Sequence, residues 1–399
     1  MNPSLEWLYS VQHLGMKPGL ENTRRLLKEL QLPGSRQKFL HVAGTNGKGS
    51  TCAFMESILR RAGERTGLFT SPHLVSFCER MTCGGKMIEM DEVERGIEAL
   101  RPVVTGWDPH PTFFELTLML ALDWMDRRGA EIIVLETGMG GRLDATNALT
   151  PLVSVITPID LDHQQWLGST LKEIAGEKAG IIKPRVPVVS APQKPEAEHV
   201  LRAAAERMGA PFTIIKKPWE GPLPLSGEHQ RWNAALAVAA LGAANFRLPV
   251  AAVAEGLART EWRGRFQQLA GGQIVIDGAH NPHGMASTVR AWQEAFGREK
   301  ATVIFGSVEA KDYGTSLAVL AGVAARFFFV TLRSPRAVHA EILEVSAPAG
   351  LHTAIFPSLE AAMAAAADLP ERRLICGSLY LCGEVLSLLG SGPFERSSE

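Results

Sequence analysis

The sequence predicts an α/β fold in two domains, and three observations carry that prediction. Apolar runs of strand length, such as Ile132-Ile133-Val134-Leu135, alternate with longer helical patterns, the mark of a parallel sheet covered on both faces. A glycine-rich turn, Gly44-Thr45-Asn46-Gly47-Lys48-Gly49-Ser50, lies between such a run (39–43) and a helical pattern (51–61). And 399 residues exceed what one ordinary hydrophobic core holds.

Taken in order, strands are expected at 39–43, 66–69, 132–135, 153–157 and 186–190, each a short apolar run. A second series follows at 274–276, 302–305, 327–331 and 373–376. Helices are expected at 20–30, 51–61, 114–128, 171–179, 196–208, 230–244, 250–257, 285–296 and 359–368, where apolar residues recur at helical spacing. The alanine-rich 361–367 is good helix material. Glu261-Trp262-Arg263-Gly264-Arg265-Phe266 through Gly272 closes one alternating series before a fresh strand, dividing the chain into domains at 1–268 and 269–399. The tail 390–399, made of Gly, Ser, Pro and charges, is expected to fray.

Composition narrows the function. Hydrophobic residues at 46% and charged residues at 21% describe a globular protein, and a net charge of −1 gives no basic field for nucleic acid. No stretch reads as a leader or a membrane span, so a cytoplasmic protein with no membrane partner is expected. Five scattered cysteines with no C-x-x-C pair fit reduced thiols better than a disulfide or zinc framework.

Ligands of parallel sheets gather outside the C-terminal strand ends, so the residues after each strand sample the site. The glycine turn comes first. Its backbone N–H groups can wrap a phosphate at a helix N-terminus, and Lys48 can reach the terminal phosphates. The turn departs from G-x-x-x-x-G-K-[ST] because Gly49 follows the lysine, with hydroxyls at Ser50 and Thr51. Later strand ends bring Thr70-Ser71-Pro72-His73, then Glu136-Thr137-Gly138-Met139-Gly140-Gly141-Arg142, then Asp160-Leu161-Asp162-His163. A carboxylate, a hydroxyl and an imidazole beside a triphosphate suit a Mg²⁺ shell. Each also has a plainer reading. Ser71 can be a turn residue, Glu136 a partner of Arg142, and His163 a cap for the helix near Thr170. Lys178, late in its helix, reads from the residues alone as a solvated lysine. Asp277 can accept from ribose hydroxyls and His280 can hold an anionic or amine co-substrate, or Asp277 or Asn281 can cap the helix near Met285. Arg263 and Arg265 can reach phosphates or stay solvated. Gln230 and Asn233, three residues apart, can read an adenine edge or serve as surface amides.

Together these motifs resemble the folylpolyglutamate synthase/dihydrofolate synthase family, the folate branch of the Mur-ligase-like ATP-dependent amide ligases. The resemblance rests on Ala43-Gly44-Thr45-Asn46-Gly47-Lys48-Gly49-Ser50, Phe69-Thr70-Ser71-Pro72-His73-Leu74, Gly140-Gly141-Arg142-Leu143-Asp144-Ala145-Thr146-Asn147, Leu161-Asp162-His163 and Glu177-Lys178-Ala179-Gly180-Ile181. It continues through Gly227-Glu228-His229-Gln230 with Asn233, Gly264-Arg265 and Asp277-Gly278-Ala279-His280-Asn281-Pro282, in family order. Two places depart. Glu136-Thr137-Gly138-Met139 replaces the usual Glu-Val-Gly-Leu, and Met16-Lys17-Pro18-Gly19-Leu20 matches the family's N-terminal substrate segment only loosely.

The resemblance implies an N-terminal P-loop-type ATPase domain binding ATP and pterin, and a smaller Rossmann-like C-terminal glutamate-ligase domain. It implies two Mg²⁺ sites, with Ser71 and Glu136 at one and His163 at the other, and a Lys178 carbamate that binds metal. Lys48, Lys178 and His280 would serve catalysis. Gly44, Thr45, Asn46, Gly47, Lys48, Gly49, Ser50, Asn233, Arg265 and Asp277 would hold ATP. His280 and Ser378 resemble positions near the incoming glutamate. Phe113, Phe114 and Glu115, with Leu143, Asp144 and Ala145, resemble the pterin side. The implied reaction is ATP-dependent ligation of L-glutamate to dihydropteroate or to reduced folates through an acyl phosphate, by a cytoplasmic monomer. The other readings are a cell-wall Mur ligase and a nucleotide-regulated binding protein.

Overall fold

The computed structural model describes residues 3–14, 19–390, 392, 394 and 395; Met16, Lys17 and Pro18 of the loosely matching segment lie outside them. The chain forms two compact units, each assembled from three stretches. One holds the chain up to Ser71, Cys78–Pro222 and Trp232–Thr260; the other holds Pro72–Phe77, Leu223–Arg231 and the chain from Glu261 onward.

The first unit is built on eight strands: β1 (Lys38–Ala43), β2 (Thr66–Phe69), β3 (Met81–Cys83), β4 (Lys86–Met87), β5 (Ile132–Glu136), β6 (Val153–Ile156), β7 (Val188–Ser190) and β8 (Phe212–Ile214). Their order is β4-β3-β2-β5-β1-β6-β7-β8. All pair in parallel except β3 and β4, which extend the β2 edge antiparallel. Strand β1 lies between β5 and β6, so the loops that follow these three strands leave from adjacent C-terminal ends. The helix Lys48–Arg61 is buried from Gly49 to Leu59. Its neighbour Val250–Ala258 approaches so closely that a Cβ on Gly256 would come 2.5 Å from the Ile58 Cα, and the Ser57 hydroxyl donates to the Gly256 carbonyl at 2.7 Å. Only glycine permits that contact.

The second unit carries β9 (Gln267–Leu269), β10 (Ile274–Asp277), β11 (Ala301–Phe305), β12 (Ala324–Val330), β13 (His352–Phe356) and β14 (Arg372–Cys376), in the order β13-β12-β11-β14-β10-β9. Only β9 runs antiparallel to its neighbour. Side chains alternate between two cores. Phe327 and Phe329 join Val275 and Trp292 on one face, while Phe328 and Val330 join Ile276 and Leu381 on the other. The expected α/β architecture with parallel, doubly covered sheets is what forms.

Several expected bounds shift for local reasons. The helix expected from 51 begins at Lys48, because Gly47 turns the chain into it with φ 89°. The helix expected from 285 begins at Pro282, because Asn281 caps it. The strand expected at 327–331 runs from Ala324 to Val330. Among the described residues no helix is long and apolar enough to cross a membrane.

Candidate active site

The glycine turn leaves β1 with its own bonds already arranged. Gly44 has φ 153° and Gly47 φ 89°. The Thr45 and Asn46 N–H groups donate to the Pro158 carbonyl at 3.0 and 3.3 Å. The Thr45 hydroxyl donates to the Asp160 carbonyl at 3.0 Å, and its oxygen accepts from the Asp160 N–H at 3.1 Å. The turn is thereby fastened to the loop after β6. No side chain caps the helix that follows, and the buried Thr51 hydroxyl has no partner among the described residues. Lys48, the first helical residue, folds its ammonium back to the Thr45 carbonyl at 3.3 Å. Uncapped helix N–H groups, a lysine over the turn and an unsatisfied hydroxyl fit an anionic ligand with several oxygens.

Around this turn the structure gathers several of the predicted residues. Glu136 ends β5, 5% exposed, and accepts from the Ser71 N–H at 3.3 Å. The alternative partner Arg142 instead binds Glu177 at 2.6 Å. Lys178 is not solvated: it is buried, and its ammonium donates to the Gly44 carbonyl at 2.8 Å. The Asn233 amide lies against Gly47, where a Cβ would stand 2.5 Å from its oxygen. A buried carboxylate with a neighbouring hydroxyl residue, close to a phosphate-type turn, is a donor set suited to a hard divalent cation. Burial, with the Glu136 carboxylate nearby, drives the Cys52 thiol well above its ordinary range, so no thiolate nucleophile is available in this region.

His163 holds a left-handed conformation, φ 50°, at the start of the short helix Gln164–Leu167. It does not cap the helix near Thr170, where Thr170 and Glu173 form a capping box. Its Nε2 stands 3.9 Å from the Asp162 carboxylate, and its N–H donates to that carboxylate at 2.8 Å.

The pterin-side candidates divide into faces and braces. The Phe114 ring lies 5.6 Å from that of Phe69 and against Gly138, where a Cβ would meet it at 2.8 Å. Leu143 is exposed, whereas Ala145 is buried. Phe113 stacks on Tyr9 at 5.6 Å. Glu115 closes a capping box with Thr112 and accepts from Thr23 at 2.7 Å. Asp144 accepts from the Met139 and Thr146 N–H groups and from the Thr146 hydroxyl; burial nevertheless raises its pKa. The Thr146 hydroxyl also meets His41 Nε2 at 2.7 Å. Burial, with Lys183 adding to it, lowers His41 to about 3, so this buried imidazole is neutral.

In the second unit a separate group forms at the ends of β10 and β14. Asp277 accepts from the Phe266 N–H at 2.8 Å, the Ala279 N–H at 2.8 Å and the Thr288 hydroxyl at 3.1 Å. Asn281 caps the helix Pro282–Phe296 through the Gly284 N–H. Arg265 lies against Gly278, where a Cβ would stand 2.5 Å from its guanidinium. His280 Nδ1 donates to the Gly278 carbonyl at 2.9 Å. Ser378 caps the helix Leu379–Leu388, and the Gly377 N–H donates to the Ala279 carbonyl at 3.1 Å. His229 is lowered to about 4 by burial, which outweighs the opposing Asp277 carboxylate.

Two fastenings escape sequence reasoning. Lys194 binds Asp160 at 2.9 Å across 34 residues, and Thr288 binds Asp277 across 11. Neither leaves a strong local signal; the second could have been sought from a hydroxyl facing the strand end about two helical turns beyond the cap.

Residues 42–191 match the Mur ligase middle domain, and residues 259–378 match the Mur ligase glutamate ligase domain. The dihydrofolate synthase/folylpolyglutamate synthase of Bacillus subtilis is 35% identical over 365 residues, spanning 83% of this chain and 85% of that protein. The crystal structure of a bifunctional folylpolyglutamate synthase/dihydrofolate synthase from Yersinia pestis, complexed with AMPPNP and a Mn ion, superimposes with a TM-score of 0.87 at 29% identity over 98% of each chain. The Escherichia coli FolC structure with DHPP and ADP gives a TM-score of 0.86 at 31% identity, again over 98% of each. The chain belongs to the dihydrofolate synthase/folylpolyglutamate synthase family.

Proposed function

We propose that the chain joins L-glutamate, at the expense of ATP, to dihydropteroate and to the terminal glutamate of reduced folates. The observation that carries this reading is the glycine turn with Lys48 and the buried Glu136 beside Ser71, in a chain whose relatives are named for these two activities. A cell-wall substrate has no such support, since the similar proteins reported above carry folate-synthase names.

The chemistry needs positioning and charge rather than a side-chain nucleophile. Lys48 and the free N–H groups of its helix hold the β- and γ-phosphates. The Ser71 hydroxyl and Glu136 carboxylate would hold one Mg²⁺, with His163 at a second; when bound, the metal neutralises phosphate charge and polarises the γ-phosphorus. A carboxylate oxygen of the acceptor attacks that phosphorus and the bond to ADP breaks, leaving an acyl phosphate. The α-amine of glutamate attacks its carbonyl carbon, loses a proton, and inorganic phosphate departs with the C–O bond electrons.

Other residues take supporting roles in this reading. Asn233 and Arg265 hold ATP. Asp277 keeps acceptor capacity on its Oδ2, which accepts from the Phe266 N–H, for a ribose hydroxyl. His280 and Ser378 would stand near the glutamate, as their matching motifs imply. Phe114 and Leu143 offer apolar surface to the pterin, while Phe113, Glu115, Asp144 and Ala145 hold that wall in place. The buried Lys178, whose amine donates to the Gly44 carbonyl, would take up CO₂ with loss of a proton, and the carbamate would supply oxygen ligands for a cation. The free cysteines fit a reducing cytoplasm.

The test is an incubation with ATP, glutamate and either dihydropteroate or tetrahydrofolate, with products weighed by mass spectrometry. An amide product dependent on all three components supports the reading, and its absence with both acceptors overturns it. Glu136→Ala is expected to lower turnover by about a thousandfold or more with the fold retained; wild-type turnover would remove its metal role. Lys178→Ala should be inactive and partly restored by short carboxylates, and an unmodified Lys178 mass under CO₂ would overturn the carbamate.

A further inference from the structure

The Pro72-His73-Leu74 motif is not used by the mechanism above, yet it directly follows Ser71. The structure gives it a partner from the far end of the chain. Thr70 donates its N–H to the Arg80 carbonyl at 2.9 Å, so the excursion between them starts and finishes at the same place. Within it, Glu395 bonds to His73, Val75, Ser76 and Phe77. The Glu395 N–H donates to the Val75 carbonyl at 2.8 Å. Its carbonyl accepts from His73 Nε2 at 3.2 Å. Its carboxylate accepts from the Phe77 N–H at 2.6 Å and from the Ser76 hydroxyl at 3.3 Å.

Packing reinforces these bonds. Leu74 and Val75 are buried in the same apolar cluster as Ile276, Tyr380 and Leu381. Gly383 has no room for a Cβ, since the Leu74 carbonyl and the Phe394 ring both lie against it. A charged acceptor on the first N–H of the short helix Phe77–Arg80 is the kind of bond that holds a loop in one geometry. Contrary to the expectation of a frayed tail, Glu395 is therefore docked.

We propose that Glu395 is a positioning residue for the ligase reaction: by fixing the 73–77 segment it fixes the Ser71 hydroxyl that follows β2. This rests on the reading of Ser71 as a metal ligand. Such a residue acts on metal affinity through the ligand it orients, and losing it typically costs about 10–100-fold.

The test uses the whole chain with a non-hydrolysable ATP analogue and titrates Mn²⁺ by electron paramagnetic resonance. Glu395→Ala is expected to weaken Mn²⁺ binding about tenfold with the affinity for the analogue little changed. Glu395→Gln, which keeps an oxygen for the Phe77 N–H, should bind Mn²⁺ nearly as the wild type does. A purely structural tail would lower the melting temperature of Glu395→Ala without moving the Mn²⁺ titration. Unchanged Mn²⁺ binding in Glu395→Ala, or an equal loss in both variants, overturns the proposal. A wild type that ligates glutamate while Glu395→Ala binds Mn²⁺ normally leaves the function standing and removes Glu395. A wild type that binds Mn²⁺ tightly, weakened only in Glu395→Ala, but makes no amide does the reverse.

Discussion

The two units each carry a parallel strand that ends in a turn and enters a helix, and the two turns treat their hydrogen bonds in opposite ways. After β1, Gly47 leads into a helix that, among the described residues, has no side-chain cap and whose Thr51 hydroxyl has no partner. After β10, Asp277 collects three protein donors and Asn281 caps the next helix. The first turn leaves donors for a ligand. The second satisfies itself and presents Arg265 and His280 from a fixed base. The same strand–turn–helix unit thus leaves its helix donors open in one place and, in the other, serves mainly as a scaffold that keeps one carboxylate oxygen of Asp277 to accept.

If that contrast is right, damage to the first turn should register in ligand binding and damage to the second in stability. Gly47→Ala forces a Cβ into a left-handed turn and toward the Asn233 oxygen. Its affinity for an ATP analogue, measured by calorimetry, should fall about a hundredfold, or ~2.7 kcal/mol. Unchanged affinity would break the comparison. Asp277→Ala leaves the Phe266 and Ala279 N–H groups without their acceptor and should lower the denaturation free energy of the second unit by about 3 kcal/mol. A loss of nucleotide affinity with no change in unfolding would make the second turn a binding device too.

A smaller effect sharpens the contrast. His41 beneath the first turn and His229 beside the second are both held below the ordinary histidine range, at about 3 and about 4. Each binds fewer protons folded than unfolded, so its contribution is complete above about pH 6.5 and declines as pH falls toward the folded value. Between about 6.5 and 4 each histidine should add up to ~1.4 kcal/mol per pH unit to the slope of stability against pH. His41→Gln and His229→Gln should each remove its own share, read from melting curves at stepped pH. Below about 4 the His229 share should level off while that of His41 continues. Identical slopes in variant and wild type would show that burial does not hold these rings neutral.

Much of this arrangement was legible in the residues. The runs at β1, β2 and β5 are apolar and bounded by glycine or charge, and the turn after β1 announces itself through Gly47 and Lys48. Less was legible where strands are short or exposed. β4 is two exposed residues, Lys86 and Met87, and β3 and β9 have three residues each, too few to show a period. The helix Leu379–Leu388 is buried almost all round, which erases the polar face that periodicity needs. The helix Met90–Val104 did carry a signal, with Val93, Ile97, Leu100 and Val104 buried at helical spacing. At the site, residue types pointed to Glu136 and Ser71, but nothing local could show that Arg142 pairs with Glu177 rather than Glu136, or that Lys178 turns inward. Those outcomes depend on which loops the sheet order brings side by side.

The docking of Glu395 onto 73–77 also bears on the order in which the molecule can be completed. His73 and Glu395 are 322 positions apart in the chain, and the second unit draws on two short segments that interrupt the first, Pro72–Phe77 and Leu223–Arg231. A growing chain emerging from the ribosome could fold most of the first unit early, but the segment after Ser71 must wait for nearly the whole sequence to be made. Closing so long a loop is entropically costly and slow, so the stretch next to the proposed metal ligand would be among the last parts of the protein to settle.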